Sequence, residues 1–255
     1  MKNKDIEIIK FDLFKKVSFV KHGFSTRYGG VSKNQYSSMN LRFNSEDKLK
    51  NIEKNLEKFL SEFNIDKNNV VFSDQIHSDN IQIVSNIDEN IKCVDGLVTN
   101  KKNIGLMTFH ADCVPVFFVD CKKGIIGLLH SGWKGSLKGI SEKMIEIFLK
   151  KYQSNIKDIL VGIGPSIGSC CYEVGDELYD QFIKKNKSYK KFFIKKNKYH
   201  LNLKELINYD LLNSGVLEKN IEINNLCTKC NNDLFFSHRA TGNKRGTMAA
   251  FIVKK

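Results

Sequence analysis

Apolar residues recur at helical spacing in two stretches of the chain. Leu49, Ile52, Leu56, Phe59, Leu60 and Phe63 form one stripe, and Ser45 followed by Glu46 and Asp47 offers a cap and first-turn acids. A helix starting at Ser45 is therefore predicted. Leu137, Ile140, Met144, Ile147 and Phe148 mark a second helix, ending near Lys150 and Lys151. Between and beyond these lie short β-type runs at 70–72, 81–84, 105–109, 114–119, 125–129 and 159–163, and 248–253 closes the chain. Strands dominate the middle, and the helices interrupt them irregularly instead of alternating as βαβ units. This pattern predicts a mixed α+β fold, with β-sheets flanked by helices, over a doubly wound parallel sheet. No internal repeat or low-complexity linker divides the sequence, so residues 1–255 read as a single domain.

Composition narrows the class. The chain is 41% hydrophobic and 27% charged, which excludes wholesale disorder, and its two prolines exclude Pro-rich scaffolds. The longest apolar runs, near 113–119 and 124–129, fall short of the ~18 residues that span a bilayer. The N-terminal stretch MKNKDIEIIKFDLF has no continuous apolar segment for export. A soluble cytoplasmic protein with no membrane partner is expected. Seven cysteines, an odd number in a long chain, read as reduced thiols and not as a disulfide framework.

Lys and Arg total 41 against 28 Asp and Glu, a net charge of +13. The densest cluster is Lys184, Lys185, Lys187, Lys190, Lys191, Lys195, Lys196 and Lys198, interleaved with Tyr189, Phe192 and Phe193. Cations with aromatics suit a nucleic-acid surface, but no recognised binding motif accompanies them. A solvated lysine face that favours small anions such as phosphate is the preferred reading.

Polar residues gather where the apolar runs stop. Gln75, His77 and Ser78 follow one run, His110, Asp112 and Cys113 separate two others, and His130 leads into Gly132 and the only tryptophan, Trp133. His77, Cys113 and His130 are the side-chain types zinc prefers, and three protein ligands leave a fourth position for water, whose pKa then falls to roughly 7. Their long separations carry no compact motif, so satisfied core residues are the competing reading. Cys227 and Cys230 form a CxxC pair. A structural zinc would need Cys170 and Cys171 as well, and these adjacent residues lack the usual two-residue spacer, so a second metal site is not expected; a redox pair is the other use of this motif, without the βαβ context such pairs have. The glycine-rich stretch 162–168 matches neither the dinucleotide nor the P-loop pattern, and it suits an anion or a tight turn.

Together these segments resemble the YfiH/LACC1 family, also called the laccase-domain or multicopper polyphenol oxidoreductase family. The matching stretches are His22-Gly23-Phe24-Ser25-Thr26-Arg27, Met39-Asn40-Leu41, Gln75-Ile76-His77, Asp95-Gly96-Leu97-Val98-Thr99 and Ala111-Asp112-Cys113-Val114-Pro115. They continue with His130-Ser131-Gly132-Trp133, Gly164-Pro165-Ser166-Ile167-Gly168, Cys170-Cys171-Tyr172-Glu173, Cys227-Thr228 and Phe235-Phe236-Ser237-His238-Arg239. Ser131 stands where the family commonly has Ala, His238 where it has Tyr, and the tail around Arg245 departs from the usual form.

The resemblance implies a zinc-dependent purine nucleoside enzyme. Such an enzyme phosphorolyses adenosine, inosine, guanosine and S-methyl-5'-thioadenosine and deaminates adenosine, with nucleoside and phosphate as partners. It places the metal on His77, Cys113 and His130. Asp112 and His110, adjacent to the metal cysteine, are candidate proton carriers in deamination. Arg27 and Arg239 offer planar forks for phosphate, and Asn40 a contact to a base edge or ribose hydroxyl. Alternatives are a thiol hydrolase with Cys113 as nucleophile and His130 as base, copper-dependent phenol oxidation, peptidoglycan-precursor editing, and a basic binding module. Copper ranks below zinc, because three N/S ligands are too few for a multicopper cluster.

Overall fold

The computed structural model describes residues 5–255. The first four residues, part of the stretch read as lacking an export segment, lie outside the described residues. Two mixed sheets form the centre. The five-stranded sheet runs in the order Ile8–Ile9, Val20–Ser25, Met248–Lys254, Gly105–His110, Val70–Phe72. The six-stranded sheet runs Ile221–Ile223, Ile159–Ile163, Val114–Asp120, Ile125–Ser131, Gly96–Thr99, Ile81–Ile83. A small sheet of Glu173–Val174, Tyr199–Leu201 and Phe193–Lys195 stands apart. The mixed α+β expectation is met.

Strand alternation builds the layers. In Val114–Asp120, Phe117 and Val119 enter the apolar layer between the two large sheets, while Val114, Val116 and Phe118 face the helices outside. In Met248–Lys254, Met248, Ala250 and Ile252 enter the same inter-sheet layer, and Ala249, Phe251 and Val253 turn to helix Leu49–Ser61. Helices Ile140–Glu146 and Leu203–Asn213 cover the other outer face. Strands covered on both faces have no polar side, which is why they read as unbroken apolar runs.

Two local readings are corrected, and the rejected nucleic-acid alternative loses its aromatic support. The first helix begins at Leu49, not Ser45. Asp47 and Ser45 are drawn instead to Asn40, whose Nδ2 donates to them at 3.0 and 3.3 Å, and Ser32 Oγ donates to Asp47 at 2.6 Å. The second stripe is interrupted: Trp133–Lys138 ends at Gly139, whose φ of +82° breaks the helix before Ile140–Glu146. The aromatics among the clustered lysines are core residues, with Tyr189, Phe192 and Phe193 exposed by only 2%, 8% and 8%. They offer no platform on which bases could stack. Among the described residues, no helix is long and apolar enough to cross a membrane.

Candidate metal centre

Strand Gly105–His110 belongs to one large sheet and Val114–Asp120 to the other, so residues 111–113 cross between them. Asp112 makes the crossing with a φ of +93°. Pro115 pairs with His130 across the antiparallel ladder, which brings Cys113 to the end of strand Ile125–Ser131. His77, at a φ of +60°, arrives from the loop after Val70–Phe72. One ligand atom from each of His77, Cys113 and His130 then lies within 4.8 Å of the others, and the two imidazoles sit 5.0 Å apart at 81°. His130 is buried, Cys113 half-buried and His77 exposed, so the cluster opens outward on the His77 side.

A residue that sequence reasoning did not nominate organises this cluster. Asp95 is fully buried, and its Oδ1 accepts from His130 Nδ1 at 2.8 Å and from the His77 backbone N–H at 3.1 Å. Its Oδ2 accepts from Ser78 N–H at 2.6 Å and Ser78 Oγ at 2.7 Å. One carboxylate thereby orients both histidine-bearing segments and leaves Nε2 of His130 for a ligand. Gly132 closes the floor: a Cβ there would stand 3.1 Å from both Cys113 Sγ and His77 Cδ2.

Charge follows geometry. Burial opposes ionisation of Asp95, but the hydrogen bonds from His130 and Ser78 outweigh it and hold the carboxyl at about 2. Burial likewise opposes the Cys113 thiolate, yet His130 and His77 bring the thiol down to about 6. For His130, burial is overcome by the Cys113 and Asp95 charges, which raise it to about 9. A thiolate between two imidazoles, with a carboxylate behind one of them, is a donor set suited to a divalent borderline-soft ion.

The other nominated residues fall into distinct places. His110 is buried with both nitrogens engaged, Nδ1 donating to Cys113 O at 3.1 Å and Nε2 accepting from Thr108 Oγ1 at 2.7 Å. Burial drives its pKa well down, so it stays neutral. Asp112 accepts from Thr228 Oγ1 at 2.6 Å and from the Arg239 N–H at 2.7 Å. Arg239 sits over Tyr172 and donates to Glu173 O at 2.8 Å. Arg27 is spent on Ser37 O at 2.9 Å and Asn232 O at 2.6 Å, with its guanidinium over Phe236. Asn40 is fully buried; its amide donates to Asp47 and Ser45, and its oxygen accepts from Arg42 and Thr247 N–H groups. It braces its own loop and presents no free group to a ligand. Arg245 is the contrast. Its Nε and Nη1 are shut off from water and find no partner among the described residues, and it lies in the fields of Arg42, Asp112 and Cys113.

Residues 21–255 match the family described as multi-copper polyphenol oxidoreductase laccase. The chain belongs to this family. It is 37% identical over 244 residues to "Purine nucleoside phosphorylase YlmD" of Bacillus subtilis, covering 91% of this chain and 88% of the relative. It is 30% identical to "Adenosine deaminase RL5" from an unknown prokaryotic organism, covering 98% and 100%. The crystal structure of the Bacillus licheniformis hypothetical protein YfiH superposes with a TM-score of 0.91 at 35% identity, covering 97% and 96%.

Proposed function

We propose that this laccase-family chain is a zinc-dependent purine nucleoside enzyme. Its reactions are phosphorolysis of adenosine, inosine, guanosine and S-methyl-5'-thioadenosine and hydrolytic deamination of adenosine. The observation that carries this reading is the convergence of His77, Cys113 and His130, aimed by buried Asp95. The substrate class comes from relatives named as a purine nucleoside phosphorylase and an adenosine deaminase. When bound, zinc supplies a Lewis acid and a nucleophile at neutral pH.

The chain's own residues supply the rest. Asp95 holds the Nδ1 proton of His130 and so fixes which nitrogen faces the ion. Arg245 takes phosphate: its buried Nε and Nη1 have no partner among the described residues, and an anion relieves its repulsion with Arg42. Asp112 carries the proton to the leaving ammonia, because each of its oxygens keeps a second lone pair beyond the bond it already accepts. Arg239, tied to Asp112 through its backbone, positions that carboxylate. We place the protein in the cytoplasm, where its free cysteines stay reduced.

One observation favours a second reading. Cys113 at about 6 and His130 at about 9, with Asp95 behind the imidazole, have the electrostatics of an activated thiol pair. A hydrogen bond from His77 also caps the sulfur, which suits a ligand better than a nucleophile. The deciding experiment is elemental analysis of the purified protein, paired with chromatography of adenosine incubated with and without phosphate. Zinc, adenine formed only with phosphate, inosine formed without it, and loss of both on chelation are expected. Turnover that survives chelation and dies with iodoacetamide overturns the zinc reading in favour of the thiol.

A further inference from the structure

The four remaining cysteines of interest lie outside the centre just described, yet they meet. The Sγ atoms of Cys170, Cys171, Cys227 and Cys230 all lie within 4.8 Å of one another. Cys230 Sγ stands 3.4 Å from Cys170 Sγ and equally 3.4 Å from Cys171 Sγ. Four sulfurs on a tetrahedral zinc, each ~2.3 Å from the ion, are about 3.8 Å apart. The cluster is therefore close to tetrathiolate size.

The backbone explains how an adjacent pair serves without a spacer. The Cys171 and Tyr172 N–H groups both donate to Gly168 O at 2.9 Å, a tight turn that presents Cys170 and Cys171 toward the CxxC segment. A Cβ at Gly168 would stand 3.2 Å from Cys170 Sγ and 3.3 Å from Cys227 Cβ, so a side chain there would crowd both cysteines. Across from it, Ser166 bridges Cys227 in parallel.

Two further features suit a bound cation. Cys227 Sγ accepts from the Gly168 N–H at 3.2 Å, and the Lys229 and Cys230 N–H groups also point at it, as thiolate ligands require. Lys204, a buried ammonium donating to Asn224 O at 2.8 Å and Leu226 O at 3.2 Å, lies in the field of Cys227 and Cys170. Four thiolates around one divalent ion carry a net negative charge, and Lys204 offsets part of it.

A disulfide accounts for less of this geometry. It would join Cys230 to one of two equidistant partners and leave the other thiols clustered without a purpose, whereas a metal engages all four.

We propose that Cys170, Cys171, Cys227 and Cys230 bind one zinc ion as a structural tetrathiolate, releasing their protons to solvent as it enters. The ion staples the turn 166–172 to the segment 226–231. Both segments hold the crossing residue Asp112: Ile167 N–H donates to Asp112 O at 3.0 Å, and Thr228 Oγ1 to its carboxylate. The staple thus steadies the loop that carries Cys113 without contacting substrate.

The test uses the full chain, purified under reducing conditions, with and without the double change His77→Ala/His130→Ala. About two zinc ions per wild-type chain and about one in the histidine variant are expected by elemental analysis. Cobalt added to that variant should give the intense sulfur-to-metal absorption of a four-thiolate tetrahedral site. EDTA should lower its thermal midpoint, because only the staple remains to be removed. Cys230→Ser in the wild-type background should bring zinc from about two to about one per chain. A histidine variant that folds but holds no zinc and gives no such cobalt spectrum overturns the proposal. So does an intact mass showing a disulfide among these four residues, or iron in place of zinc. The readout is metal held by a protein lacking the first centre, so it is independent of whether nucleosides are turned over.

Discussion

Gly132 shows how little room the His77–Cys113–His130 cluster leaves around itself. Its φ of −81° suits any residue, so the constraint is purely steric. A methyl there must displace Cys113 Sγ or His77, both only 3.1 Å away. Gly132→Ala is expected to leave the thermal midpoint within a few degrees of wild type while lowering zinc affinity by at least about tenfold, the scale seen when ligand orientation is disturbed. Zinc competition with a chromophoric chelator measures this, and unchanged affinity would show that the cluster does not close around an ion. At this scale the ligand types were legible, because histidines and a cysteine sat where apolar strands stopped. Asp95 was not, since an acid at a strand start looks like a turn former until the fold brings it 2.8 Å from a histidine thirty-five positions away. Arg245 was equally hidden, because a missing partner is visible only in three dimensions.

Among the elements, the central strands were legible because both of their faces are buried, so register does not matter to their apolar signature. Helices Asp176–Lys185 and Leu203–Asn213 were not anticipated. The second of these buries Lys204 and Asp210 along with its leucines, which blurs the amphipathic stripe that sequence periodicity relies on. Asp210 makes a testable consequence of that burial. Burial and the Glu142 charge push its carboxyl up to about 7, against the pull of Tyr189, whose hydroxyl donates at 2.9 Å, and of Lys185. In the unfolded chain the same group titrates near ~3.9. Between these values the folded state holds the extra proton, so this group's contribution to stability falls as pH rises from about 4 to about 7. Asp210→Asn keeps an acceptor for Tyr189 and removes the titration. It should stabilise the protein by about 1–3 kcal/mol at pH 8 and by much less at pH 5, as read by denaturant unfolding at the two pH values. An equal effect at both would place the charge elsewhere.

At the scale of the whole molecule, an apolar layer separates the two large sheets, and that layer contains imidazole. His22, from strand Val20–Ser25, packs among Phe11, Phe14 and Phe117, and its Nε2 accepts from the Phe11 N–H at 2.8 Å. His110, from strand Gly105–His110 of the same sheet, meets Phe24 edge-on, with both of its nitrogens already bonded. Neither ring can take a proton without losing an acceptor role inside apolar packing. Burial, with Lys10 adding to it, brings His22 down to about 4, whereas the unfolded residue titrates near ~6.5. The sign is opposite to that of Asp210: the unfolded chain binds the extra proton between those values, so stability is full above about 6.5 and drains away as pH falls toward 4. His22 alone accounts for about 2–3 kcal/mol of that loss. Denaturant unfolding at pH 7.5 and 4.5, with EDTA present so that metal release does not contribute, measures it. His22→Gln retains an acceptor for Phe11 and should shrink the difference between the two pH values by most of that amount. A variant whose pH dependence matched wild type would mean that acid opens the molecule elsewhere and leaves the layer between the sheets intact.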